Sequence, residues 1–315
     1  MTGCWICLEP TKLGARYHPT CLESLFGHRR CPTVDLAGTT IPEAIATQSD
    51  RISISGVQSK LIVDLADDGG RLFPSDGGRY ILKVPSPSFA NLSENEHLTM
   101  SIAKLVGVAV PRFGLIELSG GGIGYIVKRF DRTDENPPSK RLQEDFCSLL
   151  ELDPNDKYLS TTEQCIEVVR KLTDDPETSA RRLFLQFALA FWIGNDDLHL
   201  KNLSLSGSDS GGYTLSLAYD LVCTRLYPQL TGKRMALKIN DRDLHLQHAD
   251  FIALAAHARI PADEAEATIE DMRAKHVAAE QLIERSVLPG PLQVPYRQEL
   301  RRKNRALAKP SRRKS

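Results

Sequence analysis

This chain has little that points to a membrane or an export route. No apolar run reaches the roughly 18–20 residues that a helix needs to cross a bilayer. The amino terminus, MTGCWICLEP, lacks the basic and apolar regions of a secretory signal, so the expected compartment is the cytoplasm. An excess of charge is also missing. Lys+Arg and Asp+Glu stand at 40 each, so net charge gives no pointer to nucleic acid or a lipid surface. Without a sign of export, the seven cysteines read as thiols or metal ligands rather than as a disulfide framework. What is present, 41% hydrophobic and 25% charged residues over 315 positions, suits two ordinary lobes or one large domain.

Four regions separate by character. Residues 1–33 hold four of the seven cysteines in a turn-rich segment, and a linker-like stretch follows over 32–50. Within an N-lobe bounded at 34–135, residues 51 to about 132 are expected to be mostly strand, with apolar runs at 60–65, 80–84, 113–118 and 123–130. Glycine breaks at 67–70, 76–78 and 120–122 suit hairpins. One helix interrupts them, predicted to start at Ser93 with Glu96 at capping-box spacing. Leu98, Ile102, Leu105 and Val106 give it an apolar face. Residues 136–300 turn helical. The run LFLQFALAFWI, ending at Ile193, is predicted as a buried helix, and 262–285 as one long amphipathic helix. A short strand at 213–217 leads to Tyr219 and Asp220. The last segment, 301–315, carries eight Lys/Arg and no acid and reads as a solvated basic tail, with a nucleic-acid contact as the alternative. The expected fold class is α+β: a bilobal, protein-kinase-like arrangement with a β-rich N-lobe, a helical C-lobe and a small zinc-knuckle-like segment in front.

The chemistry concentrates in Gly194-Asn195-Asp196-Asp197-Leu198-His199-Leu200-Lys201-Asn202, directly after the buried helix. Phosphoryl transfer needs an acceptor for a hydroxyl proton and oxygen ligands for magnesium. Asp197 and Asn202 stand five residues apart, the interval between the base and the metal-binding Asn of protein kinases. Asp220, after a short strand, is placed to be the second metal ligand; phosphates and water complete a Mg²⁺ shell. Asp196 competes for the role of base with poorer spacing, and the plainer reading of the loop is a set of helix-capping Asn and Asp residues. Lys83 takes an inward position on 80–84, costly to bury unless an anion receives it. ATP phosphates would receive it, with Glu96 as orienting partner; a solvent-facing edge lysine is the alternative. Around Gly56, the stretch from Arg51 to Lys60 sets small polar residues where backbone N–H groups could meet phosphates, yet it is not G-x-G-x-x-G and reads equally as a turn.

At the amino terminus, Cys4-Trp5-Ile6-Cys7 and His18-Pro19-Thr20-Cys21 form two close ligand pairs separated by a ten-residue loop. Thiolates and imidazole at this spacing suit a tetrahedral Zn²⁺ in a structural or docking role. Cys31 or His28 is a spare ligand, and free thiols in a flexible arm are the alternative.

Taken in order, ISISGVQSKL, YILK followed by SENEH, YIVKRFDR, LQEDFC, IGNDDLHLKNLSL, AYDL and MALKIN resemble the HipA family of bacterial toxin kinases. Ser53-Ile54-Ser55-Gly56 is most similar to HipT of the three-component HipBST systems. The resemblance implies a serine/threonine protein kinase that uses ATP and Mg²⁺ on a host translation protein of the aminoacyl-tRNA synthetase class. It implies autophosphorylation at Ser53 or Ser55. It also implies ATP contacts at Gly56, Val57, Gln58, Lys60, Lys83 and Tyr219, an adenine-contacting hinge at Lys128, Arg129 and Phe130, and loop support from His199 and Lys201. The implied partners are a HipB-like helix-turn-helix antitoxin, through which alone DNA would be met, and a small HipS-like subunit, with no membrane partner. The cysteine-rich segment departs from the family. Competing readings are a small-molecule kinase of the aminoglycoside-phosphotransferase or phosphoinositide-kinase type and a pseudokinase scaffold.

Overall fold

Alternating side chains build the first sheet. Along β2 (Lys60–Leu65), Leu61 and Val63 enter a core while Lys60 and Ile62 take the opposite face. The computed structural model describes residues 3–34, 58–135, 137–208, 211–227, 229 and 234–310. The expectations at Ser53, Ser55, Gly56 and Val57 lie outside the described residues. The chain divides into two compact units, one of Met1–Ser101, Pro111–Arg141 and Glu284–Pro289, the other of Ile102–Val110, Leu142–Ile283 and Gly290–Ser315.

In the first unit, the described residues form a six-stranded sheet ordered β1-β3-β2-β4-β6-β5. Its strands are β1 (Thr33–Val34), β2, β3 (Arg71–Pro74), β4 (Tyr80–Lys83), β5 (Phe113–Glu117) and β6 (Ile123–Lys128). Every pairing is antiparallel except β1 with β3. The cysteine-rich segment is not a separate domain. Its helix α1 (Pro19–Phe26) contributes Leu22, Leu25 and Phe26 to the core that Leu61, Leu72, Tyr80, Leu82 and Ile126 build from the sheet. Nor does the expected linker begin at 32, because Thr33 and Val34 pair with Arg71 and Leu72. Between β4 and β5 runs α2 (Leu92–Leu105), with Leu98 and Ile102 fully buried.

The second unit is helical around a three-stranded sheet of β7 (Gln143–Asp145), β8 (Ser204–Gly207) and β9 (Tyr213–Leu215). Short α3 (Phe146–Leu149) precedes α4 (Thr162–Leu172), whose start is a full Thr161–Gln164 capping box. The apolar run folds as α5 (Pro176–Ile193), buried almost all round in its second half. Next come α6 (His248–His257), α7 (Ala262–Ala274), α8 (His276–Arg285) and α9 (Gly290–Ala306).

Two expectations are corrected. The long helix over 262–285 is two helices, interrupted at Lys275, where no glycine or proline marks the break. The tail over 301–315 is helical as far as Ala306. Two of its charges are answered by acids that lie outside that stretch: Arg301 by Glu280, at 2.5 Å, and Arg302 by Glu299, at 2.6 Å. Lys303 is buried over the Phe191 ring, 3.6 Å from its centroid.

Candidate active site

Helix α5 ends at Gly194, whose φ of 71° lies in the left-handed region and whose N–H returns to the Ala190 and Phe191 carbonyls. A Cβ there would also press on Glu299 and Arg225. The chain that leaves this cap is held by its own polar groups. Asp197 N–H donates to Asn195 Oδ1 at 3.0 Å, and Asp196 N–H donates to Thr224 Oγ1 at 3.0 Å. Asp196, the competing base, is buried and paired with Arg225 at 2.5 Å. Burial pushes its carboxyl pKa up against the pull of Arg225. It ties the loop down from beneath.

Asp197 is half-buried, and its Oδ1 accepts a hydrogen bond from the Tyr158 hydroxyl at 2.7 Å. Asn202 Nδ2 donates to the Asp197 carbonyl at 3.1 Å. A backbone carbonyl can only accept, so the nitrogen end of this amide is committed there and Oδ1 is the end that can accept or ligate. Oxygen is the atom a hard cation requires. Asp220 is exposed, with a φ of 59° that is uncommon outside glycine. The buried His199 ring packs edge-on against Tyr158, centroids 5.2 Å apart. Burial lowers its pKa more than the Asp197 and Asp220 charges raise it, which keeps the imidazole neutral at neutral pH. Lys201 Nζ donates to Asp145 Oδ2 at 2.7 Å. Asp145 in turn caps α3 through the Ser148 N–H at 3.0 Å, so Lys201 anchors the loop to a helix start. Tyr219 donates its hydroxyl proton to the Lys201 carbonyl at 3.1 Å.

In the first unit Lys83 donates to both oxygens of Glu96, at 2.7 and 2.8 Å. The side chains are 14% and 2% exposed, so this is a largely dehydrated pair. The Ser93–Glu96 capping box does not form: Ser93 lies inside α2, accepting from Gln58 Nε2, and Lys83 has claimed the Glu96 carboxylate. Gln58 Nε2 also donates to the Val84 carbonyl at 2.7 Å. Lys60 sits directly opposite Lys83 across β2 and β4. Two cations in that relation repel unless anions intervene, and Glu96 supplies one. In the predicted hinge, the Lys128 and Arg129 amides donate to the Arg112 and Arg79 carbonyls. Their side chains pair with Asp134 and Asp131. An adenine reader here would therefore use groups other than those two amides.

Tyr158, Asp145 and Arg225 were not legible as site residues. Tyr158 and Asp145 lie 39 and 56 residues before their partners, Asp197 and Lys201, and Arg225 stands beyond β9; no local spacing marks any of the three.

The amino-terminal Cys/His pairs do converge. One ligand atom from each of Cys4, Cys7, His18 and Cys21 lies within 4.8 Å of every other. The spare candidates are elsewhere: Cys31 Sγ faces the Pro32 carbonyl, and His28 stacks on Phe26.

The profile of the HipA-like C-terminal domain matches residues 52–280. Similar relatives include "Putative kinase Y4mE" of Sinorhizobium fredii, 34% identical over 64% of this chain and 49% of its own length. "Putative kinase Y4dM" of the same organism is 33% identical over 71% of this chain and 59% of its own. The chain thus spans roughly half to three fifths of the length of these relatives. Among solved structures, HipA of Shewanella oneidensis, in a complex with HipB and operator DNA, superposes with a TM-score of 0.70 at 20% identity, covering 86% of this chain and 73% of that one. The proinflammatory kinase CtkA of Helicobacter pylori gives 0.57 at 15% identity, covering 88% and 95%. At such identities the likeness is one of fold, and the fold is the α+β architecture of these kinases.

Proposed function

Because the chain belongs to the HipA-like C-terminal domain family, we propose that it is a magnesium- and ATP-dependent serine/threonine protein kinase of the HipT type, the toxin of a bacterial toxin–antitoxin system. The observation that carries this reading is the loop in which Asp197 is oriented by Tyr158 and the Asn202 amide commits its nitrogen to the Asp197 carbonyl. Asp197 acts as the base. It takes the hydroxyl proton of the accepting serine or threonine as that oxygen bonds to the γ-phosphorus and the bond to the β-phosphate oxygen breaks, leaving ADP. Asn202 Oδ1 and the exposed Asp220 carboxylate are the oxygen donors that suit a hard divalent cation. Magnesium, when bound, neutralises charge on the β- and γ-phosphate oxygens. Lys83, held by Glu96, is assigned to the ATP phosphates, with Gln58 and Lys60 close to them. Lys201 is a positioning residue, since Asp145 already holds its ammonium.

The finer parts rest on the family resemblance. The substrate is a host translation protein of the aminoacyl-tRNA synthetase class. Ser53 or Ser55 takes a phosphate by autophosphorylation, and the added charge of about −2 repels ATP and silences the enzyme. A HipB-like antitoxin and a HipS-like subunit are the partners, within the cytoplasm. No described helix is long and apolar enough to cross a membrane.

The test incubates the protein with γ-labelled ATP and Mg²⁺, alone and with cell lysate, beside Asp197→Asn. Label on Ser53 or Ser55 and on one lysate protein, lost in the variant, is the expected result. Label confined to small molecules overturns the protein-kinase reading, and nucleotide binding without transfer makes the chain a scaffold.

A further inference from the structure

The cysteine-rich segment has a geometry that the phosphotransfer site does not explain. His18 is the N-cap of α1 with Pro19 behind it, yet its ring does not cap the helix. Nδ1 is turned to the sulfurs instead, 3.4 Å from Cys7 Sγ and 3.6 Å from Cys21 Sγ. The other ring nitrogen, Nε2, lies 2.9 Å from the Pro10 carbonyl. A carbonyl accepts only, so Nε2 carries the proton and Nδ1 presents its lone pair to the cluster. This is the arrangement by which a backbone carbonyl fixes the tautomer of a metal-ligating histidine. The spacing also fits: ligands at 2.0–2.3 Å around a tetrahedral Zn²⁺ place nitrogen and sulfur about 3.6 Å apart. The first turn of α1 sets His18 and Cys21 side by side through the Cys21 N–H bond to the His18 carbonyl. A tight turn closed by Leu8 N–H on the Cys4 carbonyl does the same for Cys4 and Cys7. Gly3 makes that turn accessible, because a Cβ there would fall 2.1 Å from the Leu8 carbonyl oxygen.

The residues inside this turn reach two elements of the sheet unit. The Trp5 carbonyl accepts from Leu115 N–H at 2.8 Å, on the edge strand β5. Tyr17 donates to the Leu115 carbonyl at 3.0 Å. The carbonyl of Ile6, between the two cysteines, faces His97 Nε2 at 3.3 Å. His97 is the neighbour of Glu96 on α2 and is fully buried; its ring packs on Phe113 of β5, centroids 5.5 Å apart, and its Nδ1 has no hydrogen-bond partner among the described residues.

We propose that Cys4, Cys7, His18 and Cys21 hold one Zn²⁺ in a closed Cys₃His centre, and that this centre braces α2, the helix that presents Glu96 to Lys83. All four positions are filled by protein, so the metal is structural rather than catalytic. Losing it removes the bonds that tie three sulfurs and an imidazole to one centre and leaves the two pairs linked by weaker contacts, Trp5 N–H on the Arg16 carbonyl and His18 N–H on Cys4 Sγ. The Ile6 and Trp5 carbonyls then lose their fixed places against His97 and Leu115. The inference stands apart from the phosphotransfer reading, because its readouts are metal content and backbone protection.

The experiment uses the full chain. Metal analysis of the purified protein is expected to give about one zinc per chain. Cobalt in its place should produce thiolate charge-transfer bands and the d–d bands of a tetrahedral site. Cys4→Ser with Cys21→Ser abolishes stoichiometric zinc, and Cys31→Ser retains it. Loss of zinc in Cys31→Ser, or its retention in the double variant, overturns the ligand set. Should the double variant fail to fold, titration of the native chain with an organomercurial gives the same answer, with zinc released as thiols are consumed. A chain that releases none refutes the site. Hydrogen exchange is then followed before and after metal removal, and after zinc is restored. Exchange over Leu92–Leu105 and Phe113–Glu117 is expected to rise about tenfold or more and to reverse, while Pro176–Ile193 stays unchanged. Zinc loss with no change in α2 leaves a metal site but sinks the brace.

Discussion

Glu96 has a carboxylate 2% exposed and takes the Lys83 ammonium on both of its oxygens, so its removal takes a bidentate anion from a largely buried cation. Glu96→Ala is expected to cost about 3 kcal/mol of stability by urea denaturation. Lys83→Met combined with Glu96→Leu should cost less than Glu96→Ala alone, because no charge is left unpaired, yet phosphotransfer should vanish. A double variant as unstable as the single one would show that the pair is held for stability and not for phosphate. Tyr158 acts through Asp197 and is a positioning residue. Tyr158→Phe is expected to lower kcat about tenfold with KM for ATP unchanged, the loss of one hydrogen bond to a charged group. Asp197→Asn should lower kcat by roughly 10²–10⁴, as the loss of a general base does. Equal effects of the two changes would argue against assigning the proton to Asp197.

At the scale of elements, one of two glycines marks a place where neighbours approach too closely for a side chain. Gly114 on β5 would put a Cβ 2.9 Å from Ile6 Cγ1 and 3.2 Å from Leu25 Cδ2. Gly114→Val should therefore lower stability by roughly 1–3 kcal/mol through overpacking, read as a fall in Tm. Gly120→Ala, with nothing within 4 Å, should leave Tm unchanged. Strands β2, β4, β5 and β6 were legible, because alternating burial in β4 and most of β2 and continuous burial in β5 and the middle of β6 are written into local apolar runs. The break at Lys275 was not, since it follows no residue preference. The helical course of Arg301 to Ala306 was hidden for a different reason: two of its charges are compensated by Glu280 and Glu299, outside the basic stretch.

For the molecule as a whole, Lys303 ties global stability to pH. Burial lowers its pKa from the usual 10.5 to about 8, against the charges of Glu299 and Asp196 that raise it and with Arg302 and Arg225 that lower it further. Between pH 8 and 10.5 the unfolded chain binds a proton that the folded one does not, so stability attributable to this group rises with pH across that window. Below pH 8 the folded state carries the full penalty, on the order of 3 kcal/mol. Lys303→Met is expected to raise Tm at pH 7, with the gain shrinking as pH climbs towards 10.5. A gain independent of pH would mean that packing over Phe191, and not charge, sets the difference. The same division runs through the rest of the protein. Sequence alone determined the residue types and spacings of the loop from Asn195 to Asn202, the strand bearing Lys83 and the two Cys/His pairs, because each of these patterns lies among residues close in the chain. Tertiary structure decided which of the two adjacent aspartates is buried and paired, that Glu96 serves Lys83 rather than the helix start, and that Cys31 stands outside the cluster. Those outcomes depend on Arg225, Tyr158 and the registers of β4 and α1, and a partner tens of residues away leaves no mark on local sequence.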